Sequence, residues 1–85
     1  MTINIEYLKK KIIYRSNYRG TKEMDLLLGS FVTKYIKILP YDELKKLDEF
    51  MNCSDEDIGN FYLNKSPIPF FNNQKILDLF SGHKI

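Results

Sequence analysis

The chain has 85 residues, an ordinary 44% apolar content and a net charge of +2. A chain of this size supports one modest core, burying about 60% of its unfolded surface, and leaves little room for a catalytic cleft with its own cofactor. Cys53 and His83, the single cysteine and histidine, fall short of a four-ligand metal set, and no apolar run approaches the ~18 residues that span a membrane.

Helical periodicity runs through the sequence. Ile5, Leu8 and Ile12, with the less regular Ile13 and Tyr14, predict a first helix near residues 3–18. Met24, Leu27, Leu28, Phe31, Val32, Tyr35, Ile36 and Leu39 recur at three- and four-residue steps and form the apolar stripe of a second. Gly29 interrupts that helix at a cost of ~1 kcal/mol relative to alanine, which suits the close approach of either a neighbouring helix or a partner. Leu26, beside it and off the stripe, is read either as an exposed apolar contact or as buried against the first helix.

Pro40 can start a helix but not continue one, and Leu44, Leu47, Phe50 and Met51 mark a third. Ser54 reads as the N-cap of a fourth, with Asp55, Glu56 and Asp57 facing its positive end and Ile58, Phe61 and Tyr62 buried. Ser66-Pro67-Ile68-Pro69 breaks the pattern. Asn72 or Asn73 caps a fifth helix carrying Ile76, Leu77 and Phe80, and Gly82 stops it. No alternation or hairpin signal supports strands. The expected fold is all-α, a compact bundle of five short helices in one domain over residues 1–85.

The charge is unevenly placed. Residues 1–22 hold six basic side chains against Glu6 alone, a net of +5, while the remainder holds seven basic and ten acidic, a net of −3. Residues 41–57 are the acidic stretch. Such polarity can steer a partner of matching charge, although solvated helix faces account for most of these residues individually. Tyr7, Tyr14 and Tyr18, interleaved with Lys9, Lys10, Lys11 and Arg15, offer a basic-aromatic face. Cys53 reads as a small core hydrophobe, and His83, near a terminus expected to fray, is assigned no role. One cysteine and no signal peptide suit a reducing cytoplasm. The Met1-Thr2 start lacks the Arg-rich leader of a mitochondrial precursor, so the chain reads as a complete bacterial-type protein of the cytoplasm.

The most informative segment is Tyr18-Arg19-Gly20-Thr21-Lys22-Glu23-Met24-Asp25. By itself it is a helix–turn–helix corner: Arg19 at the negative end of the first helix, Gly20 as the left-handed turn residue, Thr21 as a cap and Glu23 in the first turn of the second helix. The order R-G-x-x-E, then x-D and a leucine-rich helix, resembles the signature of the succinate dehydrogenase flavinylation factors (assembly factor 2 of mitochondria, SdhE of bacteria). Asp25-Leu26-Leu27-Leu28-Gly29-Ser30-Phe31 and Cys53-Ser54-Asp55-Glu56-Asp57-Ile58 extend the resemblance over roughly residues 12–69. Tyr18 stands where the family commonly has a second Arg, and Phe61-Tyr62 where it often has Trp.

The resemblance implies an assembly factor rather than an enzyme. Its partner would be the flavoprotein subunit of succinate dehydrogenase, with fumarate reductase as a further candidate. It would act on the FAD of that partner, promoting covalent attachment to a histidine there, without stably binding a cofactor of its own. Arg19, Gly20 and Glu23 would form the partner-binding motif. Arg19 would offer a donor fork to the partner, Gly20 would allow close backbone approach, and Glu23 would bond a partner group or hold Arg19 in place. Arg15, Tyr18 and Asp25 would support it, Asp25 by pairing with Arg15 or Arg19. The chain is expected to be a monomer with no metal, no nucleic-acid partner and no membrane partner. The alternative is a basic-faced nucleic-acid-binding or antitoxin-like interaction module. Its basic charge is confined to one helix, and the acidic 41–57 stretch would repel phosphates.

Overall fold

Among the described residues, all helix starts but one are set by side chains that satisfy free amides. In the computed structural model, which describes residues 4–84, five helices form. Asn4 accepts from the Glu6 amide at 2.8 Å and opens α1 (Ile5–Asn17). Thr21 accepts from Met24 at 3.2 Å and opens α2 (Lys22–Tyr35). Pro40 precedes α3 (Tyr41–Phe50) without a side-chain cap, offering its carbonyl to Glu43 and Leu44. Ser54 accepts from Asp57 at 3.1 Å ahead of α4 (Asp55–Asn64), and Asn73, not Asn72, accepts from Ile76 at 2.9 Å ahead of α5 (Gln74–Ser81). The expected start of the first helix at residue 3 lies outside the described residues.

The all-α reading holds among the described residues, with local corrections. The second helix stops at Tyr35 rather than Leu39: residues 36–38 form a turn in which the Ile38 and Leu39 amides both donate to the Tyr35 carbonyl, and Leu39, before Pro40, is kept out of helical geometry. Ile36 and Leu39 still bury themselves in the turn that follows. Lys65, at φ 60, ends α4 in the left-handed conformation. Gly82 ends α5 in a right-handed one, so its conformational freedom is not used. On α4 only Ile58 is fully buried; Phe61 and Tyr62 are half-buried.

Packing follows the stripes. Helix α1 lies against α2 and α3, and α5 closes against α3 and α4. At the centre Phe31, Phe50 and Phe80 meet edge to face, with ring centroids 5.1–6.4 Å apart, the arrangement that ring quadrupoles favour. Ile12, Leu28, Leu44, Leu47, Ile58 and Ile76 surround them with no exposed surface. Each such side chain contributes roughly 1.5–3 kcal/mol by leaving water.

Polar contacts then tie the layers. Lys11 and Arg15 of α1 both reach Asp48 of α3, at 3.1 and 3.2 Å, and Lys75 of α5 reaches Glu43 of α3 at 2.7 Å. Two of the six basic side chains of residues 1–22, Lys11 and Arg15, therefore join the first helix to the acidic third instead of facing a partner.

His83 corrects a second expectation. It does not fray but is buried, its ring 5.5 Å from Phe31 and its Nε2 2.8 Å from Ser30 Oγ. The Tyr62 hydroxyl donates to its carbonyl at 2.5 Å. Ser30 Oγ donates to the Leu27 carbonyl, so the ring proton sits on Nε2, and Nδ1 is buried with no partner among the described residues. A second proton there would be a buried charge. Burial, and then the nearby Lys34 charge, hold the His83 pKa below its ordinary value of 6.5. The unfolded chain consequently binds the proton first on acidification, and stability falls as pH drops through that value. The sole imidazole should titrate below pH 6.5 by NMR. Thermal unfolding should show Tm falling between neutral and mildly acidic pH, and His83→Gln should flatten that dependence.

Candidate functional site

The corner between α1 and α2 is built from both of its flanks. Tyr18 closes α1. Gly20 follows at φ +139, a backbone conformation that side-chain-bearing residues rarely adopt, and a Cβ there would stand 3.4 Å from Asp55 Oδ2. Asp25, one turn into α2, accepts from the Arg19 amide at 2.6 Å and fastens the turn to its helix. Asp25 was expected to pair with a guanidinium; it holds the Arg19 backbone instead.

Arg19 is turned inward. Its side chain is 9% exposed. Nε donates to Asp55 Oδ1 at 2.8 Å, Nη1 to the Met51 carbonyl at 2.7 Å and Nη2 to the Cys53 carbonyl at 2.6 Å. The planar fork thus caps the end of α3 and grips the start of α4, in bonds strengthened by its charge. The donors expected to face a partner are occupied within the fold. Arg15 reaches the same junction through Asp48 and Asn52 and does not pair with Asp25.

Glu23 is the opposite case. It is exposed, it does not hold Arg19, and among the described residues it has neither an ion pair nor a hydrogen bond. Tyr18 is 70% exposed and lies against Tyr14, ring centroids 4.6 Å apart, so the aromatic part of the expected face is present at the corner. Arg19 and Gly20 therefore meet Asp55, Asp25 holds the Arg19 amide, and Glu23 and Tyr18 face solvent.

Two cavities flank this arrangement. An almost wholly apolar groove of about 260 Å³ runs between α2 and α4, lined by Met24, Leu27, Gly59, Tyr62 and Leu63, with Thr21 and Glu23 as its polar members. A second, of about 380 Å³, lies over the α3–α4 junction, where Glu49 and Asp57 share the lining with Phe70 and Phe71. Neither suits a flavin dinucleotide. The first offers only Thr21 and the Glu23 carboxylate as polar groups, and the carboxylates of the second oppose a pyrophosphate. Cys53, on the second cavity, stays a thiol, since burial and then the Asp57 charge raise its pKa. Among the described residues no group of three or more His, Cys, Asp and Glu side chains could hold a metal ion.

Gly29 and Leu26 resolve as well. A Cβ on Gly29 would meet the Asn17 side chain at 2.6 Å, so this glycine admits the end of α1 rather than a partner. Leu26 is 55% exposed. Sequence reasoning missed the role of Asp55, which it assigned only to the helix dipole, and missed Gly59 and Phe70. Phe70 is fully exposed at φ 63, and the Pro67–Pro69 break before it was its only signal.

Removing the Arg19 fork should loosen the whole corner. Arg19→Ala should cost about 1.5–3 kcal/mol, the range for hydrogen bonds to charged groups, and Arg19→Lys should recover little because an ammonium cannot reach three acceptors in one plane. Glu23→Gln should leave Tm unchanged. Thermal unfolding by circular dichroism separates the two roles.

Comparison with known proteins bears on the same segments. A family model described as "Flavinator of succinate dehydrogenase" matches residues 10–84. The chain is 39% identical over 79 residues to "Succinate dehydrogenase assembly factor 2, mitochondrial" of Dictyostelium discoideum, covering 93% of this chain and 56% of that protein. It is 36% identical over 83 residues to the protein of that name in Saccharomyces cerevisiae (strain YJM789), covering 89% and 51%. It is 33% identical over 81 residues to "Succinate dehydrogenase assembly factor 2-A, mitochondrial" of Drosophila mojavensis, covering 93% and 52%. The chain spans about half the length of these relatives.

Their names overturn the reading of a bacterial, cytoplasmic protein, since the matching relatives are mitochondrial proteins of eukaryotes. That reading rested on the single cysteine, the lack of a signal peptide and the residues around Met1, and none of these separates one reducing compartment from another. The relatives are named as assembly factors, not as enzymes. With the family model matching from the middle of α1 to the residue after His83, the chain belongs to the family of succinate dehydrogenase flavinators.

Proposed function

We propose that this helical domain docks on the flavoprotein subunit of succinate dehydrogenase through the α1–α2 corner and promotes covalent attachment of FAD to that subunit. The observation that carries this reading is the division of labour at the corner. Arg19 is locked into the fold by three acceptors, while Glu23, four residues on, is exposed and unpaired among the described residues. A rigid turn that presents one carboxylate beside Gly20 and the exposed Tyr18 suits orientation of a partner.

When bound to the partner, the flavin would supply the electrophilic 8α carbon to which a histidine of that subunit bonds; this chain's residues would bind and position. Gly20 has no Cβ and lets a partner backbone come close to the turn. Glu23 is exposed at a helix start and has no ion pair or hydrogen bond among the described residues, so its proposed work is to pair with a cationic or donor group of the flavoprotein. Arg19 acts through the fold, holding the turn against the α3–α4 junction, and Asp25 sets the turn on α2. Arg15 braces α1 on α3. The proposed compartment is the mitochondrion, the address in the relatives' names. A nucleic-acid module is disfavoured by the pairing of Lys11 and Arg15 with Asp48, which removes cations from the basic helix.

The test is co-expression with the flavoprotein subunit, reading covalent flavin by in-gel fluorescence after denaturation. Glu23→Ala should lower the covalent signal at least about tenfold, the loss expected from removing a charged contact, with unchanged circular dichroism. Arg19→Ala and Gly20→Ala should lower it together with Tm. Full covalent flavin with all three variants would remove the corner from the mechanism.

A further inference from the structure

The groove between α2 and α4 has a feature that the fold does not require. Gly59 lies in the interior of α4 with ordinary helical geometry, where glycine weakens a helix relative to alanine. A Cβ at this position would meet only the flexible Met24 Cε, at 3.5 Å, an ordinary contact. Gly20 is required by its φ and Gly29 by the approach of Asn17; no such demand acts on Gly59. The consequence of its missing side chain is that the apolar groove over Met24, Leu27 and Tyr62 stays open. Leu63, 77% exposed, lines the same groove and extends its apolar surface to the solvent edge. Tyr62 is held by its hydrogen bond to His83, so that wall of the groove is preformed.

Chemistry and position indicate the occupant. The groove is lined by the same Glu23 whose carboxylate has no ion pair among the described residues, and it is continuous with the corner. We infer that the groove is an anchoring pocket for one apolar side chain of the flavoprotein subunit, carried on a segment with a lysine or arginine close enough to pair with Glu23. This deepens the docking proposed above and rests on it. The buried apolar contact would supply most of the affinity, as central anchors do. The ion pair at its edge would set register and partner choice.

A Cβ at Gly59 makes only an ordinary contact, so the groove can be filled from within α4. Gly59→Leu should raise helix propensity while occupying the space an anchor would take. Asn60→Leu adds the same side chain one position along, at an exposed site that does not line the groove. Binding of each full chain to the purified, FAD-loaded flavoprotein subunit would be measured by calorimetry at low and high salt, with circular dichroism on every variant. Gly59→Leu should stay folded and bind at least about tenfold more weakly, as for loss of an interface anchor, and Asn60→Leu should bind like the unsubstituted chain. Glu23→Gln should weaken binding and reduce its salt dependence.

If Gly59→Leu does not fold, Leu63→Ser decides instead, with the same expected weakening. Binding by folded Gly59→Leu equal to the unsubstituted chain overturns the groove and leaves the corner's role standing. Equal salt dependence with Glu23→Gln overturns the cationic complement. A dimer of the unsubstituted chain in sedimentation that Gly59→Leu dissolves assigns the groove to a second copy and overturns the proposal. No binding by the unsubstituted chain overturns this inference and the docking reading together.

Discussion

One guanidinium organises this protein. Arg19 extends from the α1–α2 turn and places its donors on Met51, Cys53 and Asp55, so a single side chain joins the turn to the end of one helix and the start of another. The geometry needs arginine, because three acceptors spread around a plane match a rigid fork and not a point charge. It also needs acceptors that have nowhere else to go. The last carbonyls of a helix lack intrahelical donors, and the Met51 and Cys53 carbonyls sit where α3 runs out. Asp55 completes the set while lying in the first turn of α4, where a carboxylate already complements the helix dipole.

The same economy of charge appears across the molecule. The basic first helix and the acidic segment beyond residue 40 suggest a bipolar surface when the chain is read linearly. In three dimensions α1 lies on α3, and Lys11 and Arg15 close on Asp48. Charges that a linear reading assigns to partners thereby become contacts between helices, each partly exposed and individually modest. Asp42, Glu56 and Glu23 are exposed acids without an ion pair among the described residues, and of these Glu23 is the one that lines the open apolar groove.

The core explains how such a small chain can hold a precise corner. Phe31, Phe50 and Phe80 come from three different helices and interlock edge to face. His83 and Tyr62 then fasten the chain end over α2 and α4. Interior packing of this density transmits displacement rather than absorbing it, so a turn anchored to α3, α4 and α2 at once is held by the entire bundle.

Much of this was legible in the sequence, because helices announce themselves locally. The three- and four-residue spacing of Leu27, Leu28, Phe31 and Val32, the capping residues Thr21 and Ser54, and the stop before Pro40 are short-range signals with short-range causes. The R-G-x-x-E order and the blocks at residues 25–31 and 53–58 that extend it pointed to the family for the same reason, as short patterns in a fixed order along the chain. Only the tertiary structure decided which members of that motif face inward. Arg19 meets residues 32 to 36 positions away, His83 meets Ser30 across 53, and the groove exists only where α2 and α4 lie side by side. Residue types state what a side chain can bond. Which bond it makes depends on long-range neighbours that no local period encodes, and so Arg19 became an internal brace while Glu23 remained available.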